Sequence, residues 1–255
     1  MDSILHINRT VCGARVDRTE ALRYIGHTGQ EVSPELDARI DQAIAHCERS
    51  SKPAFAYRIF PVERAVDAAS AADLAGSASP ANAASPIRLK HAMLALDGAD
   101  IRTHLQGAVA VGVLVCTLGL ANEREMRRQQ SANSLDALVY SAASSSLVEC
   151  VADICEAHIA ADAAATGLIT NSRFSPGYGD LPLSLQPAIL AALDATKQLG
   201  VSVNEANLLV PAKSTTALIG LFDHADNVHN VKLTCAGCTC APHCSLREAG
   251  TPCFR

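Results

Sequence analysis

The sequence predicts an α+β fold, a twisted and largely antiparallel sheet with helices packed against it. Three observations carry that prediction. Residues Gly107–Leu118 (GAVAVGVLVCTL) are Val-rich and bounded by glycines, the pattern of a strand buried on both faces. From Leu135 to about Ala165 the spacing is helical throughout, with Leu147, Val151, Ile154 and Ile159 on one stripe and Glu149, Asp153 and Glu156 turned away from it. Elsewhere helical and strand patterns follow one another too irregularly for a doubly wound sheet, and no internal repeat is evident.

Taken in order, residues 17–50 read as helical with a break at Gly26–Gly29. Ser33 before Pro34 and Glu35 is an N-cap signal, because its hydroxyl can accept an orphan N–H and proline fits the first turn. Ala54–Val62 alternates like a strand ending near Pro61. Residues 65–86 are biased to Ala and Ser, with too few large side chains to bury, and read as a surface loop or frayed helix. A charged helix from about Asn122 to Gln130 follows the buried strand, and Gly167 ends the long helix. Fourfold spacing of Leu185, Ile189 and Leu193 predicts one helix over Leu183–Leu199, stopped by Gly200. Val201–Val203 and Leu208–Val210 read as short strands, with the apolar segment Ala217–Phe222 available to pair with them. The chain thus divides into an N-terminal helical and strand region at 1–86, a core at 87–230 and a Cys-rich tail at 231–255.

Composition narrows the classes of function. With 255 residues the chain can bury a sizeable core, but only 4% are aromatic and none is Trp, so that core must be built from Ala, Leu, Val and Ile. A net charge of −5 argues against nonspecific nucleic-acid binding. The basic cluster Arg124, Arg127, Arg128 lies among Glu123 and Glu125 and reads as a solvated helix face. The N-terminus MDSILHINRT has no apolar stretch after a basic start, so no secretory leader is expected. The longest apolar run, Gly107–Ala121, falls short of the ~20 residues that span a bilayer. A cytoplasmic location without membrane contact is the expectation. Ten cysteines in a leaderless chain fit a reducing compartment better than a disulfide framework. Cys12, Cys47, Cys116, Cys150 and Cys155 sit on apolar stretches and read as buried, inert thiols.

Two segments carry candidate chemistry. In Arg173-Phe174-Ser175-Pro176-Gly177-Tyr178-Gly179-Asp180 a guanidinium, a ring and a Pro-Gly turn fall close together. Arg173 suits a carboxylate bidentately, and Tyr178 offers a ring face to a cation and a hydroxyl to a polar group. From spacing alone, a surface turn with incidental Arg and Tyr accounts for the same residues. In the tail, Cys235, Cys238, Cys240, Cys244 and Cys253 lie within nineteen residues, with His243 among them. The C-x2-C pair can open a tetrahedral thiolate site, and Cys235, Cys238, Cys244 and Cys253 are the candidate ligands. The spacing fits zinc, an iron–sulfur cluster or free thiols. No metalloprotease, nucleophile-triad or phosphate-loop pattern is present.

RFSPGYGD resembles the RxxPGY signature of the reactivation domain of cobalamin-dependent methionine synthase, which binds S-adenosylmethionine. The segment LQPAILAALDATKQLGVSVNEANLLVPAKSTTALIG resembles the helix and TES-containing stretch that follow it in that family. LDALVYSAASSSLVECVAD is similar to the family helix carrying a ligand-contacting Glu, and TLG at 117–119 fits short stand-alone members. The similarity covers roughly residues 90–255. It implies an activation-domain fold, with Glu149, Arg173, Ser175 (through its backbone) and Tyr178 contacting S-adenosylmethionine. It also implies a detached activation subunit whose cobalamin is carried by a partner methyltransferase subunit, with a flavodoxin- or ferredoxin-type electron donor. The resemblance implies reductive methylation of cob(II)alamin on that partner. An iron–sulfur or zinc accessory protein, or an adaptor without ligand binding, are the alternatives. The chain departs from the family where a further Glu would stand at Gly167 and a later tyrosine near Asn227.

Overall fold

The computed structural model describes residues 4–63, 86–229, 235, 241–248 and 250. The Ala/Ser-biased stretch at 65–85 lies outside the described residues. At the centre is a five-stranded sheet in the order β1-β2-β5-β9-β6. Its strands are β1 (Leu5–Asn8), β2 (Ala54–Pro61), β5 (Ala110–Thr117), β9 (Ser214–Phe222) and β6 (Ile169–Thr170). Every pairing is antiparallel. The α+β prediction holds. Because β2 pairs with β5 along its whole length, elements from both sides of residue 86 share one sheet.

The middle strand explains the layering. Every residue of β5 is buried, as the Val-rich run requires. Alternation then sends Ala110, Leu114 and Cys116 to one core, and Val111, Val113 and Val115 to the other. The first core lies under α1 (Arg18–Tyr24), α2 (Pro34–Ser50), α4 (Gly119–Ala132) and the long α5 (Ser134–Ala165). The second lies under α3 (Ala99–His104), α6 (Gln186–Ala192) and α7 (Ala195–Leu199). α5 is long and apolar enough to cross a membrane by length and composition, yet it is the core helix here: Leu147, Val151, Cys155 and Ile159 are buried against the sheet. Gly112 permits that close approach, since a Cβ there would stand 2.9 Å from Ile159 Cγ2.

Caps set the helix starts where the sequence placed them. Asp17 accepts from Thr19 N–H and Glu20 N–H, and Ser33 Oγ accepts from Leu36 N–H ahead of Pro34. Three readings need correction. The stretch predicted as one helix over Leu183–Leu199 is a 3₁₀ turn (Leu183–Leu185) followed by α6 and α7. Asp194 enters the left-handed region (φ 50°), which turns the chain so that Ile189, Leu193 and Ala195 all reach one core. The short strands β7 (Ser202–Val203) and β8 (Leu209–Val210) pair with each other rather than with 217–222. Over residues 217–222 both sides of β9 are already occupied, by β5 and by β6 with Phe174. Of the thiols expected to be buried, Cys47, Cys116 and Cys155 are, but Cys12 is exposed and Cys150 half-buried. A further hairpin, β3 (Ile87–Arg88) with β4 (Ala95–Leu96), leads into α3.

Candidate functional site

The RFSPGYGD stretch runs along the outer edge of β9 and is fixed from three sides. Just before it, the Asn171 side chain accepts from Gly220 N–H at 2.7 Å and donates to the carbonyls of His104 and His229 at 2.8 Å each. Phe174 exchanges both main-chain hydrogen bonds with Leu218, at 2.8 and 2.9 Å, and its ring is buried beside that of His104. His104 Nε2 in turn lies 2.9 Å from the Ser172 carbonyl. Burial lowers the His104 pKa, although the bond to Ser172 works in the opposite direction.

The Pro-Gly turn is closed by its own backbone. Tyr178 N–H donates to Ser175 O, Leu181 N–H to Tyr178 O, and Gly177 N–H to Leu181 O. Asp180, the last residue of the motif, caps α3 by accepting from Ala99 N–H and Asp100 N–H. Gly98 (φ 145°) faces that carboxylate so closely that any Cβ would collide with it. The motif's Asp is therefore a structural clasp.

Along the extended segment, side chains alternate. Phe174 points into one core, while Arg173 reaches the polar face of α5. There Arg173 Nη1 donates to Asp153 (2.8 Å) and Glu156 (2.7 Å), and Nη2 to Glu149 at 3.3 Å. The three carboxylates expected to share a helix face do so, and one guanidinium gathers them. With all ionised the cluster carries net −2 (one cation, three anions). Burial pushes the Glu156 carboxyl up despite the neighbouring Arg173. Glu149 makes the longest contact and is half exposed.

At the edge of the sheet, beginning two residues after Arg173, lies a hollow of about 350 Å³ whose walls include Ser175, Tyr178, Leu183, Gln186, Leu208 and Thr216. One strand edge borders it. Since Leu218 spends its N–H and C=O on Phe174, strand alternation turns those of Thr216 to the same open edge, where no partner takes them among the described residues. The Thr216 hydroxyl is held by Gln186 Oε1 at 2.7 Å. Between Ala212 and Ser214 of the rim, Lys213 sends its amine inward to Ser145 Oγ at 2.7 Å, and burial lowers its pKa.

The four candidate ligand residues thus form two pairs, Glu149 with Arg173, and Ser175 with Tyr178 on the wall of the hollow, joined by the chain from 173 to 175. Arg173, expected to wait for a ligand carboxylate, is already committed to three carboxylates. Sequence reasoning missed Thr216 and Lys213. A main-chain edge leaves no residue signature, and a lysine in an Ala-Lys-Ser loop looks like any surface cation. Gly167 (φ 76°) has no neighbour within 4 Å of where a Cβ would stand, and Asn227 lies over Gly107. Of the proposed metal ligands, Cys235 and Cys244 are half-buried free thiols, and no group of three potential ligands forms among the described residues. Cys238 and Cys253 lie outside them.

No family model matches the chain, and no curated protein matches it. Among solved structures it is similar to a crystal structure of the MetH reactivation domain bound to AdoHcy, with a TM-score of 0.58 and 14% identity over 97% of this chain and 86% of that one. The chain therefore has the methionine synthase activation-domain fold that the motif resemblance implied.

Proposed function

We propose that the chain is an activation subunit for a corrinoid-bearing methyltransferase of the methionine synthase type, and that it binds S-adenosylmethionine in the hollow beside Tyr178. One observation carries this reading: motif residues Ser175 and Tyr178 wall a cavity of about 350 Å³ at an open strand edge, and Arg173, two residues before Ser175, gathers an acidic cluster. The ligand has the matching pattern, a flat heterocycle with hydrogen-bonding edges at one end and a sulfonium and ammonium at the other. The similar solved structure holds the demethylated product, AdoHcy.

The residues divide the work by chemistry. The open N–H and C=O of Thr216 and the Ser175 main chain suit the edge of the heterocycle. The Tyr178 ring suits the sulfonium, a contact of about 1 kcal/mol. Glu149, the least tightly held member of the acidic cluster, suits the amino group, with Arg173 orienting it. When bound, the ligand supplies a methyl group on positive sulfur, and the partner's corrinoid supplies the acceptor metal centre. This chain then needs no acid or base; it holds the donor in position and shields it from water. A flavodoxin- or ferredoxin-type donor would deliver the electron to the partner.

Calorimetric titration with S-adenosylmethionine and S-adenosylhomocysteine tests the reading. Saturable one-site binding is expected, weakened about tenfold in Tyr178→Ala. Absence of saturable binding by the folded chain at millimolar ligand overturns it.

A further inference from the structure

The helices α2, α4 and the first turns of α5 enclose a second groove of about 460 Å³ that shares no lining residue with the hollow. Its wall carries three guanidiniums (Arg39, Arg49 and Arg128) and the His46 imidazole, against a single carboxylate, Asp136. The chain as a whole is acidic, at −5, so this excess of positive charge runs against the average surface.

Two of the arginines are braced from behind. Asp136 Oδ1 receives Arg39 Nε and Nη2 at 3.1 and 2.7 Å. Glu125 receives Arg128 through Nε and Nη2, and also takes His46 Nε2 and Gln129 Nε2, each at 2.7 Å. Each carboxylate occupies one edge of a planar fork and fixes its orientation, and the Nη1 side keeps its donors. Arg49 has no partner among the described residues, so its whole fork is uncommitted. At the base, Tyr140 OH is held by Ser50 Oγ at 2.7 Å and Asn122 Nδ2 at 3.2 Å. That firm base makes the recess a site with a floor.

We propose that this groove binds a phosphate monoester of small-molecule size. Three guanidiniums from two helices line the groove, all arginine and none lysine, and suit a tetrahedral oxyanion: the whole Arg49 fork can take it bidentately, while Arg128 and Arg39 offer their Nη1 sides. The volume falls in the range of small-molecule sites and exceeds what the anion alone would fill. Glu125 and Asp136 are the positioning residues; Arg49 and Arg128 are the direct contacts.

The experiment uses the full chain at constant ionic strength, because salt screens such contacts. Inorganic phosphate, ribose 5-phosphate and ribose are titrated by calorimetry and followed by ³¹P line broadening. Both phosphate compounds are expected to bind saturably and ribose is not. Arg49→Ala and Arg128→Ala should each weaken binding at least about tenfold, as loss of a charge-assisted bond does, with S-adenosylmethionine affinity unchanged. Tighter binding of ribose 5-phosphate than of phosphate supports an ester as the ligand; equal affinity overturns the ester and leaves a site for free phosphate. Arg49→Lys keeps the charge without the fork and should fall between wild type and Arg49→Ala. No saturable binding of either phosphate compound, or undiminished binding by both alanine variants, overturns the proposal.

Discussion

The middle and the first turns of α5 present the same two side-chain chemistries in opposite proportion. Around Glu149, Asp153 and Glu156, one arginine meets three carboxylates; around Asp136 and Tyr140, three arginines line a groove with one carboxylate. In the first region the cation is the minority, partly buried and shared among three carboxylates, and it holds the helix face together. In the second the anions are the minority and serve as braces. An arginine in a cleft is thus no guide to ligand charge until its intramolecular partners are counted. The first region suits the positive end of a ligand, and the second an anion.

The sharpest way to break this contrast is to delete an arginine from each region. Arg173→Ala leaves three carboxylates facing one another without their shared cation, and should cost about 2 kcal/mol in urea unfolding. Arg49→Ala should change stability by less than about 0.5 kcal/mol. Equal losses would mean that the first cluster is not a structural unit. Next in size, Asp180→Ala removes the α3 cap and should cost about 1 kcal/mol by the same assay, with a parallel loss of S-adenosylmethionine affinity.

A smaller effect is expected from His104. Its folded pKa lies below the unfolded value, so between those two values the unfolded chain binds more protons. Its contribution is complete above the unfolded pKa, about 6.5, and is lost as pH falls through the folded value. Unfolding midpoints should therefore decline on acidification below about pH 6.5, and His104→Asn should flatten that decline. Without any change in stability, carboxyl ¹³C titration should separate the two regions. Glu125, held chiefly by Arg128 and further by His46 and Gln129, is pushed down to about 2, whereas burial lifts Glu156. If Glu156 titrates below Glu125, the assignment of braces and cluster is wrong.

Much of this architecture was legible because burial writes itself into spacing. The Val-rich run became β5, and the long apolar stripe became α5 with its carboxylates on the far side. What could not be read was whatever depends on distant neighbours. The fourfold leucine spacing over 183–199 is compatible with a straight helix, and only the core shared with Val113 and Leu218 shows why the chain turns at Asp194. The pairing partner of β9 was equally hidden, because short apolar strands carry no label for their neighbours. At the candidate site, the motif drew attention to Ser175 and Tyr178, which share the wall of the hollow, but the commitment of Arg173 to α5 links residues 17 to 24 positions apart.

The helix Ala99–His104 is only six residues long, yet it touches the segment 172–180 at both ends: Asp180 sits on its N-terminus, and the ring of its last residue holds the Ser172 carbonyl. The bend between them is in effect splinted. The wall of the hollow that Ser175 and Tyr178 supply therefore has an outline settled during folding.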